Sequence, residues 1–133
     1  MSKPRYSIFL SAALAVLAAM AAGCDSGPPM GQVSGKVTFQ GKPLPKAEIE
    51  FQPVDNRPSS SAKTDAEGRY KLQFTSKKSG ALVGEHVVAI TTEQDASDEG
   101  QPAVPEKLPP KYNTKSQLKK TVERGRQTID FEL

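Results

Sequence analysis

Cys24 and His86 are the only cysteine and the only histidine in this 133-residue chain, so any chemistry that needs a thiol or an imidazole falls to them. In a Ser-His-acid triad, His86 would have to be the general base. Its place in an alternating run of residues points it inward, so packing is preferred over catalysis. A metal site built from His and Cys would have too few ligands. Asp65, Glu67, Asp95, Asp98 and Glu99 could offer oxygen ligands to calcium, but the segment Asp95 to Glu99 lacks the EF-hand spacing and its turn glycine. A solvated loop is the better reading. Lys36 and Glu50 could supply two parts of a Lys–Asn isopeptide crosslink, but the final strand, Ile129 to Leu133, has no Asn and Lys36 lies on a polar face. No phosphate-cradling glycine loop occurs. The expectation is therefore no catalytic residues, no metal and no cofactor: a protein that is not an enzyme.

Cys24 points to a different chemistry. Lys3 and Arg5 give the chain a basic start. Ile8 to Ala22 is free of charge and nearly all apolar, and it closes on Gly23-Cys24. That run of 15 residues is shorter than the ~20 a helix needs to cross a bilayer. A basic head, a short apolar middle and a small-residue end make an export signal, to be left out of the fold. Ala21-Ala22-Gly23-Cys24 resembles the bacterial lipobox, in which the Cys sulfur receives a diacylglyceryl group and becomes the mature N-terminus. The motif usually has Leu where Ala21 stands. The alternative is a secreted protein cut after Ala19-Met20-Ala21, which would leave an unpaired thiol. Lipidation at Cys24 is the preferred reading, with residues 1–23 as lipoprotein signal peptide.

Charge excludes one class of partner. The chain has 18 Lys and Arg against 15 Asp and Glu. Without Lys3 and Arg5 the balance is 16 to 15, so the mature part is almost neutral. No basic patch is interleaved with aromatics, and nucleic-acid binding is not expected. Lys115, Lys119, Lys120, Arg124 and Arg126 cluster near the end at strand-like spacing, which suits a solvated face.

The elements that must position these residues are strands. Asp25 to Gly31 is rich in Gly and Pro, so residues 24–31 are expected to be a flexible linker and residues 32–133 one domain. From there on the apolar period is two. Val33, Gly35, Val37 and Phe39 share one face, as do Ala47, Ile49 and Phe51. Ala62-Lys63-Thr64 makes a short third strand. Asp65-Ala66-Glu67-Gly68 is a turn, in which Asp bonds its own backbone and Gly supplies a positive φ. Tyr70, Leu72 and Phe74 follow on one face. In Gly84 to Thr92, Val87 and Ala89 are apolar beside His86, Val88 and Ile90, which suits a strand covered on both sides. Glu93 to Asn113 is a long polar loop with four prolines, of the length that often carries function or mobility. Leu118, Lys120 and Val122, then Ile129, Phe131 and Leu133, complete seven strands. Seven short strands with Gly/Pro turns predict an all-β, seven-stranded antiparallel β-sandwich.

Val33-Ser34-Gly35-Lys36-Val37-Thr38-Phe39, then Gly41-Lys42-Pro43-Leu44-Pro45-Lys46-Ala47, resembles the opening of carboxypeptidase regulatory-like domains. Thr64-Asp65-Ala66-Glu67-Gly68-Arg69-Tyr70 resembles the step T-D-x-x-G-x-Y/F of that family. Val83-Gly84-Glu85-His86-Val87-Val88 is similar to its P-G-x-Y-x-V element, with His86 where the family has Tyr. Leu108-Pro109-Pro110-Lys111-Tyr112-Asn113 resembles a segment of a subgroup of small bacterial lipoproteins. The resemblance spans nearly the whole mature chain. It implies a transthyretin-like sandwich and no activity, because the domain is named after a non-catalytic appendage of certain peptidases.

The combined expectation is a lipoprotein held to a bacterial membrane through Cys24 and facing the periplasm or exterior. Its sandwich would serve as a structural or protein-interaction module for an unidentified envelope protein. Tyr112, with Pro110 and Lys111, is the candidate anchor for that partner, balanced against simple packing of Tyr112 onto the sandwich. A surface module for small molecules or carbohydrates is the alternative; three Tyr, five Phe and no Trp leave few aromatics for it.

Overall fold

The computed structural model describes residues 27–133. The signal segment and Cys24 lie outside the described residues. Twelve short strands follow in order: β1 Met30–Phe39, β2 Lys42–Pro43, β3 Glu48–Pro53, β4 Ser60–Lys63, β5 Arg69–Lys71, β6 Gln73–Thr75, β7 Lys78–Ser79, β8 Ala81–Leu82, β9 Gly84–Thr91, β10 Leu118–Val122, β11 Gly125–Thr128 and β12 Phe131–Glu132. A single 3-10 turn, Pro110–Tyr112, interrupts them.

Two sheets form. In the first, β1 is the axis: β8, β5 and β2 pair antiparallel with it, while β11 and β12 run parallel to it. The second is antiparallel throughout, in the order β10-β9-β3-β4-β6-β7. The inward positions of both meet in one core. Val33, Val37, Tyr70 and Phe131 come from the first sheet, and Ile49, Phe51, Val88, Ile90 and Val122 from the second. Phe51 and Phe131 bridge the layers edge to face, with ring centroids 6.1 Å apart. That shared core makes the molecule a β-sandwich.

The Thr64–Gly68 step stitches the sheets. The buried Thr64 hydroxyl donates to Leu44 O at 2.6 Å and accepts from Ala47 N at 2.9 Å. Asp65 Oδ1 accepts from Glu67 N at 3.0 Å and Arg69 N at 2.9 Å, as its turn requires. Gly68 sits at φ +75° and gives its carbonyl to Val37 N at 2.8 Å. A side chain there would have to point into the Val37 carbonyl.

Three expectations need correction. The strands among the described residues number twelve, because the run Tyr70 to Phe74 is split and β2, β7, β8 and β11 lie outside the predicted runs. Tyr70 to Phe74 changes sheets at Leu72: β5 pairs with β1, and β6 pairs with β4. Ile129 to Leu133 is interrupted at Ile129-Asp130, where the Asp130 carboxylate accepts Lys36 N at 2.8 Å in place of a ladder carbonyl. Next, the last strands are parallel to β1, because the chain crosses from the second sheet at Glu123-Arg124 and re-enters the first at the end where β1 begins. Finally, the segment expected as linker is part of the domain from Pro29 onward. Val83 N donates to Pro29 O at 2.9 Å, and β1 starts at Met30.

Candidate functional site

The long segment after β9 is ordered against the second sheet. It opens as a small hairpin, with Gln94 and Val104 bonded antiparallel, and returns along the outer edge of β9. β10 covers that edge only as far as Val88. Beyond it, side chains take over the role of a strand. The Ser116 hydroxyl donates to Val88 O, and Asn113 Nδ2 donates to Ile90 O at 3.3 Å. Glu106 accepts from Thr92 N at 3.0 Å. An edge that would otherwise template another chain is thereby closed.

Glu106 is the hub. Its carboxylate also accepts from the Thr91 hydroxyl, from Thr92 Oγ1 at 2.8 Å, from Lys107 N at 3.0 Å and from Leu108 N at 2.9 Å. Burial alone would raise its pKa, but the hydrogen bonds from Thr91, Leu108 and Thr92 outweigh it and hold the carboxyl at about 2. Leu108, two residues on, is thereby set into the core at 4 % exposure. Sequence reasoning missed Glu106. Its partners at and just past the end of β9, Thr91 and Thr92, lie 15 and 14 residues away, and a loop has no period to reveal such a pairing.

The 3-10 turn stands at the outside of this arrangement. Tyr112 N donates to Pro109 O at 3.0 Å, and Lys115 N to Pro110 O at 2.8 Å. Pro110 and Lys111 are exposed, while Tyr112 is half-buried with its ring packed against the core. Lys111 Nζ lies 4.9 Å from the ring centroid, a cation–π contact. Tyr112, Lys111 and Lys115 line a shallow hollow with Gln117 and Leu118. The candidate trio is thus brought together on a fixed turn, and Tyr112 both packs and presents a face.

His86 is elsewhere, inside. It is 1 % exposed, tilted against Phe51 at 5.7 Å between centroids. Nδ1 donates to Gly84 O at 3.0 Å, and Nε2 has no partner among the described residues. Burial holds its pKa below the ordinary 6.5, against the smaller pull of the Gly84 carbonyl. The folded state therefore binds fewer protons than the unfolded chain, and stability is lost as pH falls below about 6.5. His86→Phe should fold with an unfolding free energy, from urea titration, within about 1 kcal/mol of the parent at pH 7. It should also lack the parent's loss of stability as pH falls below about 6.5. Equal slopes in both proteins over that range would refute this.

Among the described residues, no three His, Cys, Asp or Glu side chains are grouped to hold a metal ion. Lys36 and Glu50 both point outward, but from different sheets.

No family model matches the chain, and no curated protein matches it. Among solved structures it is similar to a DUF3823 family protein from Parabacteroides merdae ATCC 43184, at 14% identity over 80% of this chain and 46% of that one, with a TM-score of 0.43. It is also similar to a 9R-lipoxygenase from Cyanothece PCC8801, at 19% identity over 76% of this chain and 16% of that one, with a TM-score of 0.37. The chain spans less than half the length of either.

Proposed function

We propose that this chain is a non-catalytic lipoprotein of a bacterial envelope, held through Cys24, whose β-sandwich presents the Pro110–Tyr112 turn to a protein partner. We further assign the sandwich to the carboxypeptidase regulatory-like, transthyretin-like class. Joining the broken runs β5–β6 and β11–β12, and setting aside the two-residue strands β2, β7 and β8, leaves the seven strands such a domain needs.

The observation that carries the interaction reading is the turn itself. A half-exposed tyrosine with a lysine over its ring is held on a backbone fixed by its own hydrogen bonds and, through Asn113, Ser116 and Glu106, by the sheet edge. Little ordering is then left to do on binding, and aromatic and cationic side chains at the centre of a contact carry most of its energy.

Two measurements test the two halves. Cys24→Ser should move the protein from the membrane to the soluble fraction, and a variant that stays with the membrane defeats the anchor. A partner captured from envelope extract should be lost with Tyr112→Ala, whose single-anchor truncation costs on the order of 2 kcal/mol of binding. Equal capture by parent and variant defeats the docking role.

A further inference from the structure

The near-neutral composition conceals a segregation of charge. On the outer face of the first sheet, Arg126 stands across from Gln32, and Lys71 and Thr128 from Ser34. Arg69 stands across from Lys36. Acids enter this face only toward the far end of β1, where Asp130 bonds Lys36 N and Glu132 faces Thr38. At the near end the cations continue around the edge. Lys78 and Arg124 line a hollow with Pro28, Pro29 and Met30, beside the one that Lys71 and Arg126 line with Gln32 and Ser34. None of these four cations is in an ion pair among the described residues. Glu123, next to Arg124, is the acid beside them. The outer face of the second sheet is mixed, with Lys63 across from Glu48 and Lys119 paired with Glu85 at 3.4 Å, and the exposed loop beyond β9 adds the acids Glu93, Asp95, Asp98 and Glu99.

The cationic end is also where the chain enters the domain. Lys78 Nζ lies 3.2 Å from where a Cβ on Gly27 would be. Cys24 is three residues upstream, a reach of at most about 11 Å of extended backbone. Pro29 is already tied to the domain through Val83 N. A short tether and a docked start bring this end of the sandwich to whatever surface holds Cys24.

We infer that Lys71, Lys78, Arg124 and Arg126 form a membrane-facing patch that rests on anionic lipid headgroups and orients the sandwich with its opposite face and the acidic Glu93–Glu99 loop toward the aqueous phase. This rests on the lipid anchor at Cys24. The anchor alone would leave the domain free to tumble about its tether. The patch adds attraction at a distance where screening by salt is incomplete, and each cation near an anionic surface shifts the resting-to-tumbling ratio about fivefold.

The test uses the full lipidated chain floated onto vesicles of phosphatidylcholine, with or without roughly one third phosphatidylglycerol. One fluorophore is attached through Ser34→Cys on the patch face and, in a second preparation, through Glu50→Cys on the opposite face. Quenching by a headgroup-attached quencher is read. The Ser34→Cys label should be quenched more on anionic vesicles and return to the neutral-vesicle level in high salt. It should also return in the variant carrying Lys71→Gln, Lys78→Gln, Arg124→Gln and Arg126→Gln. The Glu50→Cys label should be quenched less on the anionic vesicles. Equal quenching of the Ser34→Cys label on both vesicles, or in the four-fold variant and its parent, overturns the patch. The anchor is read separately: the parent chain takes up no thiol label if Cys24 is acylated. A parent that labels and fails to float on neutral vesicles overturns the anchor, and the Ser34→Cys label in a chain that also carries Cys24→Ser, on whatever anionic vesicles retain, then decides the patch. A chain retained by neither vesicle overturns both.

Discussion

Gly35→Ala will cost the domain about 3 kcal/mol or more, a large share of a total stability on the order of 5–15 kcal/mol. A Cβ on Gly35 would sit 1.9 Å from Ile129 O and 2.7 Å from Ile129 C. Those are backbone atoms and cannot turn aside. They are also held from every direction. Ile129 N donates to Ser34 O at 2.8 Å, the Tyr70 hydroxyl reaches across Gly35 to donate to Ile129 O, and Asp130 Oδ1 takes Lys36 N. Room for one methyl group means moving the last strand off β1, which breaks all three contacts and pulls Phe131 from the core. Gly41→Ala is the control. Gly41 has φ +78° and nothing within 4 Å of its Cβ position, so only backbone strain of about 1 kcal/mol applies there. Urea midpoints of the two variants separate the causes. A Gly35→Ala protein no less stable than Gly41→Ala would show that the strand yields freely.

The same region shows what the residues disclose and what they withhold. Alternation marks Val33, Gly35 and Val37 as inward and Ser34 and Lys36 as outward, and the structure agrees. It cannot show which neighbour a strand bonds. In a sandwich both sheets face one core, so a chain may cross between them without disturbing the pattern. Tyr70, Leu72 and Phe74 alternate without a break, yet the hydrogen-bonding partner changes from β1 to β4 at Leu72. Ile129, Phe131 and Leu133 alternate just as cleanly, although Asp130 interrupts the ladder between them. Strand direction is equally silent, since a parallel and an antiparallel neighbour ask for the same side chains. The inward placement of His86 was legible because it rests on period alone. The charge patch was not, because Arg126 and Lys71 come onto one face, across from Gln32 and Ser34, only through pairing, and composition sums them against acids elsewhere in the chain.

Glu106→Ala is expected to cost about 3 kcal/mol and to release the loop beyond β9. Thr92 is buried, so its amide and hydroxyl would lose their acceptor without gaining water, and Leu108 would lose the hydrogen bond that fixes it in the core. Glu106→Gln keeps an acceptor but loses the charge and turns an amide toward the two threonines; about 1–2 kcal/mol is expected. The acid response identifies the carboxylate as the cause. Its pKa is about 2 in the folded protein against an ordinary 4.5, so the stabilisation is complete above about pH 4.5 and is lost as pH falls from there toward 2. That loss should be on the order of 2 kcal/mol after discounting for nearby water, and Glu106→Gln should lack it. Urea midpoints across that range read the slope, and amide exchange at Leu108 reads the release. An unchanged acid slope in Glu106→Gln, or full protection of the Leu108 amide in Glu106→Ala, would mean the loop is held by packing alone. If it is held as the hydrogen bonds indicate, Glu106→Ala should also weaken partner capture through the Pro110–Tyr112 turn, because that turn would keep its side chains and lose the support that holds them in place.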